Sequence, residues 1–493
     1  MKLSGAKKSA PEPNRAGLGT AGAAAVSILL LSLVLAPSAH ASLLEVGPDY
    51  KPLTNSIPAS YKGTELGTWK EGHPLDDLPK GAWWEVFGDT NLNALEAQAL
   101  DANQKLKGAF ARLEQSRETA RVTRGQLLPQ ANFDPSFSRE RYSPNEQPSF
   151  GPLTANTINT PVDLSYEVDL WGRVRRSFES SRADAQASLA DYYNVLLTLQ
   201  SDVAQNYFAV RELDQEMSIV TGTINLRNEQ VRFVRSRYEG GIGSELEIAQ
   251  AETELATTEA DAASLAQRRD QIENAIAILA GCNPADFHLD QNTNQWAPEP
   301  PQIPAGLPGD LLERRPDVAR AERQLASANA KIGVAKAAFF PVVTLTGSAG
   351  YVSADVSSLF NWESRTWTFG PGVSLPLFTG GRNRANYRRS RAAYDEEVAA
   401  YRQQVLVAFG DVQNSLSDIR HLTDQAAAQD RAVTSAQRSA DLAAERYRSG
   451  IVSYIEVVDA NRDALTAERA ATQLNGQRLV ATVQLVKALG GGF

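Results

Sequence analysis

Two acidic side chains, Glu456 and Asp459, lie three residues apart in the segment RYRSGIVSYIEVVDANR, which spans residues 446–462. On an isolated helix, such carboxylates most simply form a solvated face. Repeated around a symmetry axis, they would instead repel one another and attract cations to a constriction. The pair is therefore a candidate cation-attracting ring if the chain forms a symmetric assembly.

Residue types that support catalysis are few and scattered. The histidines at positions 40, 73, 288 and 421 share no metal-ligand spacing, and the sequence contains no nucleophile motif or phosphate-binding loop. The single cysteine, Cys282, allows neither an internal disulfide nor a cysteine metal site. We therefore expect no enzyme activity, no catalytic residue, no cofactor and no metal.

Net charge and aromatic content point away from several ligand classes. The formal charge of −9 and the pI near 5.3 give no basic surface for nucleic acid. Trp83 and Trp84 could form a ligand platform, but their amphipathic rings favour packing against a helical wall. The composition therefore indicates neither a nucleic-acid surface nor an aromatic ligand site, and the function has to be inferred from the helices and strands.

The N-terminal residues have the pattern of a secretory signal. Basic residues precede the apolar run AGAAAVSILLLSLVLA at 21–36, and Ala39 with Ala41 forms an A-x-A cleavage site. A retained membrane helix is the alternative, but this run is shorter than the roughly 20 residues required and ends at Pro37. We predict a cleaved signal peptide over residues 1–41, followed by an extended segment over 42–91.

The mature sequence consists of two halves built to one plan. RYEGGIGSELE, which begins at Arg237, matches RYRSGIVSYIE, which begins at Arg446, at a shift of 209 residues. The residues identical across this shift are Arg237, Tyr238, Gly241, Ile242, Ser244 and Glu247. The repeat predicts equivalent units over 92–281 and 315–493, joined by a linker over 282–314.

Each half contains very long helical segments. Residues 176–237 and 384–447 are rich in helix-forming residues and nearly free of Gly and Pro, as are the shorter segments 92–128 and 315–338. About 60 helical residues extend about 90 Å, which is too long for one globule. A non-conducting periplasmic coiled-coil scaffold would explain these helices, but not the strands described next.

Each half also contains a strand pair, at about 131–170 and about 341–378. After Pro341, apolar and polar residues alternate from Val343 to Tyr351, and TWTFGPGVSLPLF supplies the return strand. Alternation over about ten residues is typical of an outer-membrane barrel. Four strands cannot close a barrel, and open edges in lipid are too costly, so we expect an oligomer; three chains would supply twelve strands.

Several motifs, in order, carry a resemblance to the TolC-like outer-membrane efflux proteins, in the NodT-type branch of outer membrane factors that serves drug-efflux pumps. They extend across the mature chain and are VGPDYKP, WWEVFGD, YEVDLWGRVRR, LLERRPDVARAERQL, AAFFPVVTLTGSAG and LPLFTGGR. The resemblance implies a mainly α protein with a membrane β-barrel. A homotrimer would form a twelve-stranded barrel continued by a long α-helical periplasmic tunnel.

The resemblance also implies location and partners. The channel would lie in the lipid of the outer membrane, extend into the periplasm, and act as the exit duct of a tripartite system with a periplasmic adaptor and an inner-membrane pump. A duct for type I protein secretion is an alternative. The sequence leaves the cargo open.

Residues at the helix tips match positions to which the resemblance gives roles. Two turns would contact the adaptor, formed by Gly241 with Ile242 and Gly450 with Ile451. The periplasmic gate would comprise the apolar Ile455, the acidic Glu456 and Asp459, the basic Arg462, and a hydrogen-bonded pair of Tyr447 and Glu247. The second copy, with Asp459 where the first has Gln250, should carry more of the gate.

Two departures from the family pattern change the expectations. The segment ASLLEVGPDY has no cysteine where relatives carry a lipid-modified one, so no lipidation is expected there. Val452 stands where some relatives have an arginine, so that arginine's contribution to closing the gate should be missing.

Overall fold

The computed structural model describes residues 45–52, 81–143, 153–291, 299–303 and 314–491. Contacts divide the chain into two units, Met1–Val46 and Gly47–Phe493, and every element described below belongs to the second. The predicted signal peptide over 1–41 lies outside the described residues.

The described part of the chain is dominated by helices. The helices are α1 (Thr90–Ala102), α2 (Gln104–Gly125), α3 (Arg173–Glu239), α4 (Glu245–Leu279), α5 (Pro316–Ala337), α6 (Arg382–Arg448) and α7 (Tyr454–Ala488). α3 and α6 each contain 67 residues, so each is about 100 Å long. α3 packs along α4, and α6 packs along α7, so that each half forms a long helical hairpin.

The internal repeat is visible in the helix bounds. α3 and α6 begin and end 209 residues apart, and so do α4 and α7. The two hairpins therefore have the same length and turn at equivalent points. This equivalence was predicted from the sequence shift, and the helix ends lie within a few residues of the predicted ones.

The first predicted helix, 92–128, is instead two helices divided at Asn103. The Asn103 side chain accepts a hydrogen bond from the Leu106 amide at 2.9 Å and donates to the Leu279 carbonyl at 2.9 Å. Its backbone is extended, with φ −62° and ψ 124°. The helix breaks there because this asparagine caps α2 while its amide binds the end of α4.

The strands are β1 (Gln130–Phe133), β2 (Ser136–Tyr142), β3 (Leu153–Val168), β4 (Val342–Ser353) and β5 (Arg365–Ser374). They form one antiparallel sheet in the order β1–β3–β4–β5, in which β2 also pairs with β3. Pairing to β3 continues without slip from β1 to β2, so these two are one strand interrupted at Asp134 and Pro135. The sheet therefore has the predicted four strand positions, with unpaired edges at β1–β2 and β5.

The two faces of the sheet differ in polarity. One face exposes large apolar side chains, among them Trp367 at 77% and Phe369 at 60% of their surface. On the other face, Glu167 forms an ion pair with Arg173 at 2.6 Å. A sheet that is apolar on its outer face and polar on the other has the alternation of a membrane barrel, as predicted.

The main hydrophobic core lies beside α1, where α3, α4 and α7 meet. Trp83 and Trp84 are buried there, and the Trp83 indole N–H donates to Gln200 Oε1 at 3.1 Å. The tryptophans pack into the helical wall, as the sequence suggested. None of the described helices combines the length and apolarity of a membrane span.

Candidate gate at the helix tips

The ends of the two long hairpins are glycine turns of one geometry. Gly241 and Gly450 have φ of 76° and 72°, a left-handed conformation that side chains with a Cβ adopt only at a cost. The Ile242 amide donates to the Arg237 carbonyl at 3.0 Å, and the Ile451 amide donates to the Arg446 carbonyl at 2.9 Å. These bonds are the Schellman closure of a helix end.

Both turns present apolar side chains to the surface. Ile242 is 71% exposed and Ile451 is 66% exposed, because each follows the glycine at the apex. Leu246, on the first turn of α4, is also largely exposed. The turns form an apolar surface without a covering element among the described residues.

Behind the turns, Tyr447 joins the two hairpins. Its hydroxyl donates to Glu247 Oε2 at 3.1 Å, from α6 to α4. The ring is buried against Phe233 and Tyr454, and the Arg237 guanidinium lies 4.8 Å from its centroid. Burial, reinforced by the Glu247 carboxylate, raises the pKa of Tyr447 to about 12, so the phenol remains a donor at neutral pH.

A second contact between the hairpins centres on Glu254 of α4. Its carboxylate binds Arg462 of α7 and, through Oε2, Arg227 of α3 at 3.1 Å. Arg227 also donates to the Thr258 hydroxyl. Since the side chains of Glu254 and Arg227 are less than a tenth exposed, the carboxylate is held between two guanidinium groups in a poorly solvated place.

A third contact lies farther from the tips. Arg469 of α7 binds Glu216 of α3 at 2.6 Å and Asp261 of α4 at 3.0 Å. Gln473 donates to Glu216 Oε1 at 3.3 Å. These three contacts form a ladder along one seam, through which α6 and α7 are tied to α3 and α4.

The predicted acidic residues face away from the core. Glu456 is exposed, as is Asp459, whose side chain is 63% exposed and lies 3.7 Å from Arg462. Ile455 is also exposed, whereas Tyr454 and Val457 on the same helix are buried. The structure places Tyr447, Glu247 and Arg462 in the seam. It leaves Glu456, Asp459 and Ile455 on a solvent-exposed face of α7.

The family resemblance paired Tyr447 with Glu247 and named Arg462, but sequence reasoning missed the partners of Arg462 and both members of the Arg469–Glu216 pair. Glu254, Glu216, Arg227 and Arg469 belong to no motif, although one signal distinguishes some of them. At the repeat shift of 209 residues, Arg462, Arg469 and Glu216 correspond to Thr253, Ala260 and Gln425, which are uncharged. A charge that is present in only one copy of the repeat is not required by the fold element that both copies share. Comparison of the two copies could therefore have indicated which residues contact the other hairpin.

These features define a class of protein. The sheet has an exposed apolar face and two open edges, and it continues into helices of about 100 Å whose far ends are tied together. Edges in lipid must be paired, so several chains are needed to close the sheet. The chain is one subunit of an oligomeric membrane channel with a helical tunnel.

Comparison with known proteins identifies the family. The profile of the Outer membrane efflux protein family matches residues 95–282 and 307–491. The chain is 31% identical to the cation efflux system protein CusC of Escherichia coli strain K12, over 91% of this chain and 96% of the relative. It is 33% identical to the solvent efflux pump outer membrane protein SrpC of Pseudomonas putida, over 90% and 95% of the two chains.

A solved structure agrees. The outer-membrane channel OprN superposes with a TM-score of 0.82 at 30% identity, covering 91% of this chain and 99% of the other. The chain therefore belongs to the Outer membrane efflux protein family, whose members are channels rather than enzymes. It lies in the outer membrane, where three chains close a twelve-stranded barrel above a helical periplasmic tunnel.

Proposed function

We propose that this channel is the passive exit duct of a tripartite efflux system, closed at its periplasmic end by contacts between neighbouring helical hairpins. The observation that carries the proposal is the hydrogen bond from Tyr447 to Glu247, directly behind the glycine turns. The ion pair of Arg462 with Glu254 reinforces it along the same seam. Separating the hairpins requires breaking both contacts.

The exposed acids complete the proposed gate. Threefold symmetry would set three copies of Glu456 and three of Asp459 around the tunnel axis, with Ile455 beside them as an apolar constriction. Six carboxylates in a narrow entrance would favour cations over anions. Arg462 lies 3.7 Å from Asp459 and also binds Glu254, so it connects the acidic ring to the seam.

Opening would be driven by a partner at the tips. Ile242 and Ile451 expose apolar surface at the turn apices, which suits a helical hairpin of a periplasmic adaptor. The adaptor would compete for the contacts that the turns make within the channel. The hairpins would then move apart. Energy would come from an inner-membrane pump, because this sequence contains no phosphate-binding loop.

The cargo would be chosen by that pump. Relatives of similar identity are named for unlike cargoes: cations for CusC, solvents for SrpC, and pyoverdine for OpmQ of Pseudomonas aeruginosa, which is 33% identical over 83% of this chain. A duct that passes such different solutes need not recognise any of them. We therefore assign no cargo-binding residue to this chain.

Planar-bilayer recording of the purified trimer tests the duct and the gate. We expect a low conductance that rises several-fold in the double variant Tyr447→Phe with Arg462→Gln. Unchanged conductance in that variant would contradict the proposed closure by these contacts. A purified protein that never inserts into the bilayer would contradict the proposed duct. Separately, Ile242→Asp with Ile451→Asp should abolish export by cells while the bilayer conductance is kept; export at the normal rate would argue against docking at the turns.

A further inference from the structure

The apolar face of the sheet ends in arginines at the edge remote from the helices. Side chains on this face follow the strand pairing in rows. The rows run from Val168, Val343 and Val373 beside the helices, through Phe133, Val162, Ala349 and Trp367, to Thr160, Tyr351 and Arg365. Beyond them Phe137 pairs with Ile158, and Arg139 and Arg141 follow Phe137 at two-residue steps on the same face.

The height of these arginines matches the boundary of the hydrocarbon layer. Val168 and Ile158 lie ten residues apart on β3. At about 3.3 Å per residue and a tilt near 40°, this distance spans about 25 Å along the membrane normal, which is the height of the apolar band of such barrels. Arg139 and Arg141 therefore lie just beyond the band, at the level of the lipid headgroups.

The described part of the chain supplies no acidic partner for these two arginines. Among the described residues, neither Arg139 nor Arg141 forms an ion pair, and both are exposed. Glu140 lies between them in sequence, but the strand pleat directs it to the opposite face, where it accepts a hydrogen bond from the Tyr142 hydroxyl at 3.2 Å. The outward face at this level is therefore basic.

Arg365 occupies the other edge of the same face. Its Nε donates to the Trp362 carbonyl at 3.0 Å, and its guanidinium lies over the exposed Trp362 ring. The acids nearest in sequence, Asp355 and Glu363, belong to the β4–β5 connection rather than to the strands. Closing the barrel would set the β5 edge of one chain against the β1–β2 edge of the next. Arg365 lies one row inside the level of Ile158, and its long side chain would extend outward toward Arg139 and Arg141 of the neighbour.

We propose that Arg139, Arg141 and Arg365 form a phosphate-binding rim that holds the phosphorylated headgroups of the outer-leaflet lipid. Guanidinium groups bind phosphate oxygens through paired, charge-assisted hydrogen bonds, and their positive charge complements the negative charge of the phosphates. The acyl chains of the same lipid would lie on the apolar rows below, against Phe137 and Trp367. Trimer symmetry gives three such rims around the barrel.

Native mass spectrometry of the full-length trimer tests the rim. The probes are lipid A carrying both phosphates and the same lipid A with its phosphates removed. We expect the intact trimer to retain the phosphorylated lipid at least about tenfold better, and the double variant Arg139→Gln with Arg141→Gln to lose that preference. A matched control, Arg431→Gln with Arg438→Gln, removes two exposed arginines from α6 and should keep it.

Bilayer conductance equal to that of the unaltered trimer shows that the double variant is folded and inserted. Equal retention of the two lipids by the unaltered trimer would overturn the proposal. So would an undiminished preference in the double variant of the rim, or displacement of the phosphorylated lipid by inorganic phosphate at millimolar concentration, which would indicate a site for the free ion.

Discussion

Arg469 of α7 donates from Nε to Glu216 Oε1 of α3 at 2.6 Å, and this pair joins the two halves of the repeat about midway along the tunnel helices. The Glu216 side chain is only 1% exposed, so its charge depends on the arginine for compensation. The pair is thus a structural contact and also part of the seam that would separate in the proposed opening.

Replacing Arg469 should destabilise the protein. Arg469→Gln leaves the Glu216 carboxylate buried without its guanidinium, at a cost of roughly 3–5 kcal/mol in the free energy of unfolding. Adding Glu216→Gln should restore much of the loss, because no buried charge then remains. Denaturation of the trimer measures both effects, with Arg438→Gln as a surface control; equal stability of all the variants would contradict the assignment.

Removing the hydroxyl of Tyr447 should weaken the closed state of the proposed gate. Tyr447→Phe keeps the buried ring but eliminates the hydrogen bond to Glu247, so we expect a modest rise in bilayer conductance, about twofold to fivefold, from a shift of roughly 0.5–1 kcal/mol. Tyr238→Phe is the matched control, because Tyr238 is the repeat counterpart and is 46% exposed. An equal response of the two variants would show that the effect is not specific to the seam.

Neutralising the proposed acidic ring should change ion block. Asp459→Ala removes three carboxylates from the entrance of the trimer, so conductance should rise and block by divalent cations should weaken by about threefold to tenfold. Asp441→Ala, an exposed acid on α6, should leave the block unchanged. Titration of the bilayer current with a divalent cation gives the comparison, and the same block in all three proteins would contradict the ring.

A buried carboxyl should make stability depend on pH. Glu96 is fully buried beside α3, its oxygens have no hydrogen-bond partner among the described residues, and burial raises its pKa to about 9. The folded protein therefore keeps a proton that the unfolded chain releases above pH about 4.5, so the free energy of unfolding is highest below that pH and falls progressively until pH reaches about 9.

Glu96→Gln should remove that dependence and raise the free energy of unfolding at pH 7 by roughly 2–3 kcal/mol. Denaturation at pH 5 and pH 8 measures the difference between the two proteins. Glu85→Gln, an exposed acid nearby, serves as the control. A pH profile that is the same with and without Glu96 would show that this carboxyl does not titrate as expected.

The seam should itself respond to pH near neutrality. Burial, with repulsion from Glu216, raises the pKa of Glu212 to about 7, and its carboxyl packs directly on Gly476 of α7. The unfolded chain releases this proton above pH about 4.5 and the folded protein only above about 7, so the free energy of unfolding falls as pH rises between these values. Trimer stability should therefore fall from pH 5 to pH 8, and Glu212→Gln should reduce the fall while Glu229→Gln does not; identical slopes would contradict this.

The sequence alone determined the architecture of the chain, because periodicity and repetition are local properties. Alternation after Pro341 predicted β4, and the 209-residue shift predicted two hairpins of equal length. The division of the first helix at Asn103 was missed, because an asparagine within a helix-forming segment signals a cap only when its partners, here Leu279, are known.

The contacts between the two helical hairpins along the seam depend on the tertiary structure. Tyr447 and Glu247 were paired from family resemblance, whereas the partners of Arg462 and Arg469 depend on which helix faces meet. Arg462 and Glu254 are 208 residues apart, and a small rotation of either helix would separate them. The rim of arginines likewise depends on strand register, since a slip of one residue would turn each side chain to the other face. A linear pattern sets which residues share an element, but only packing sets which elements share an interface.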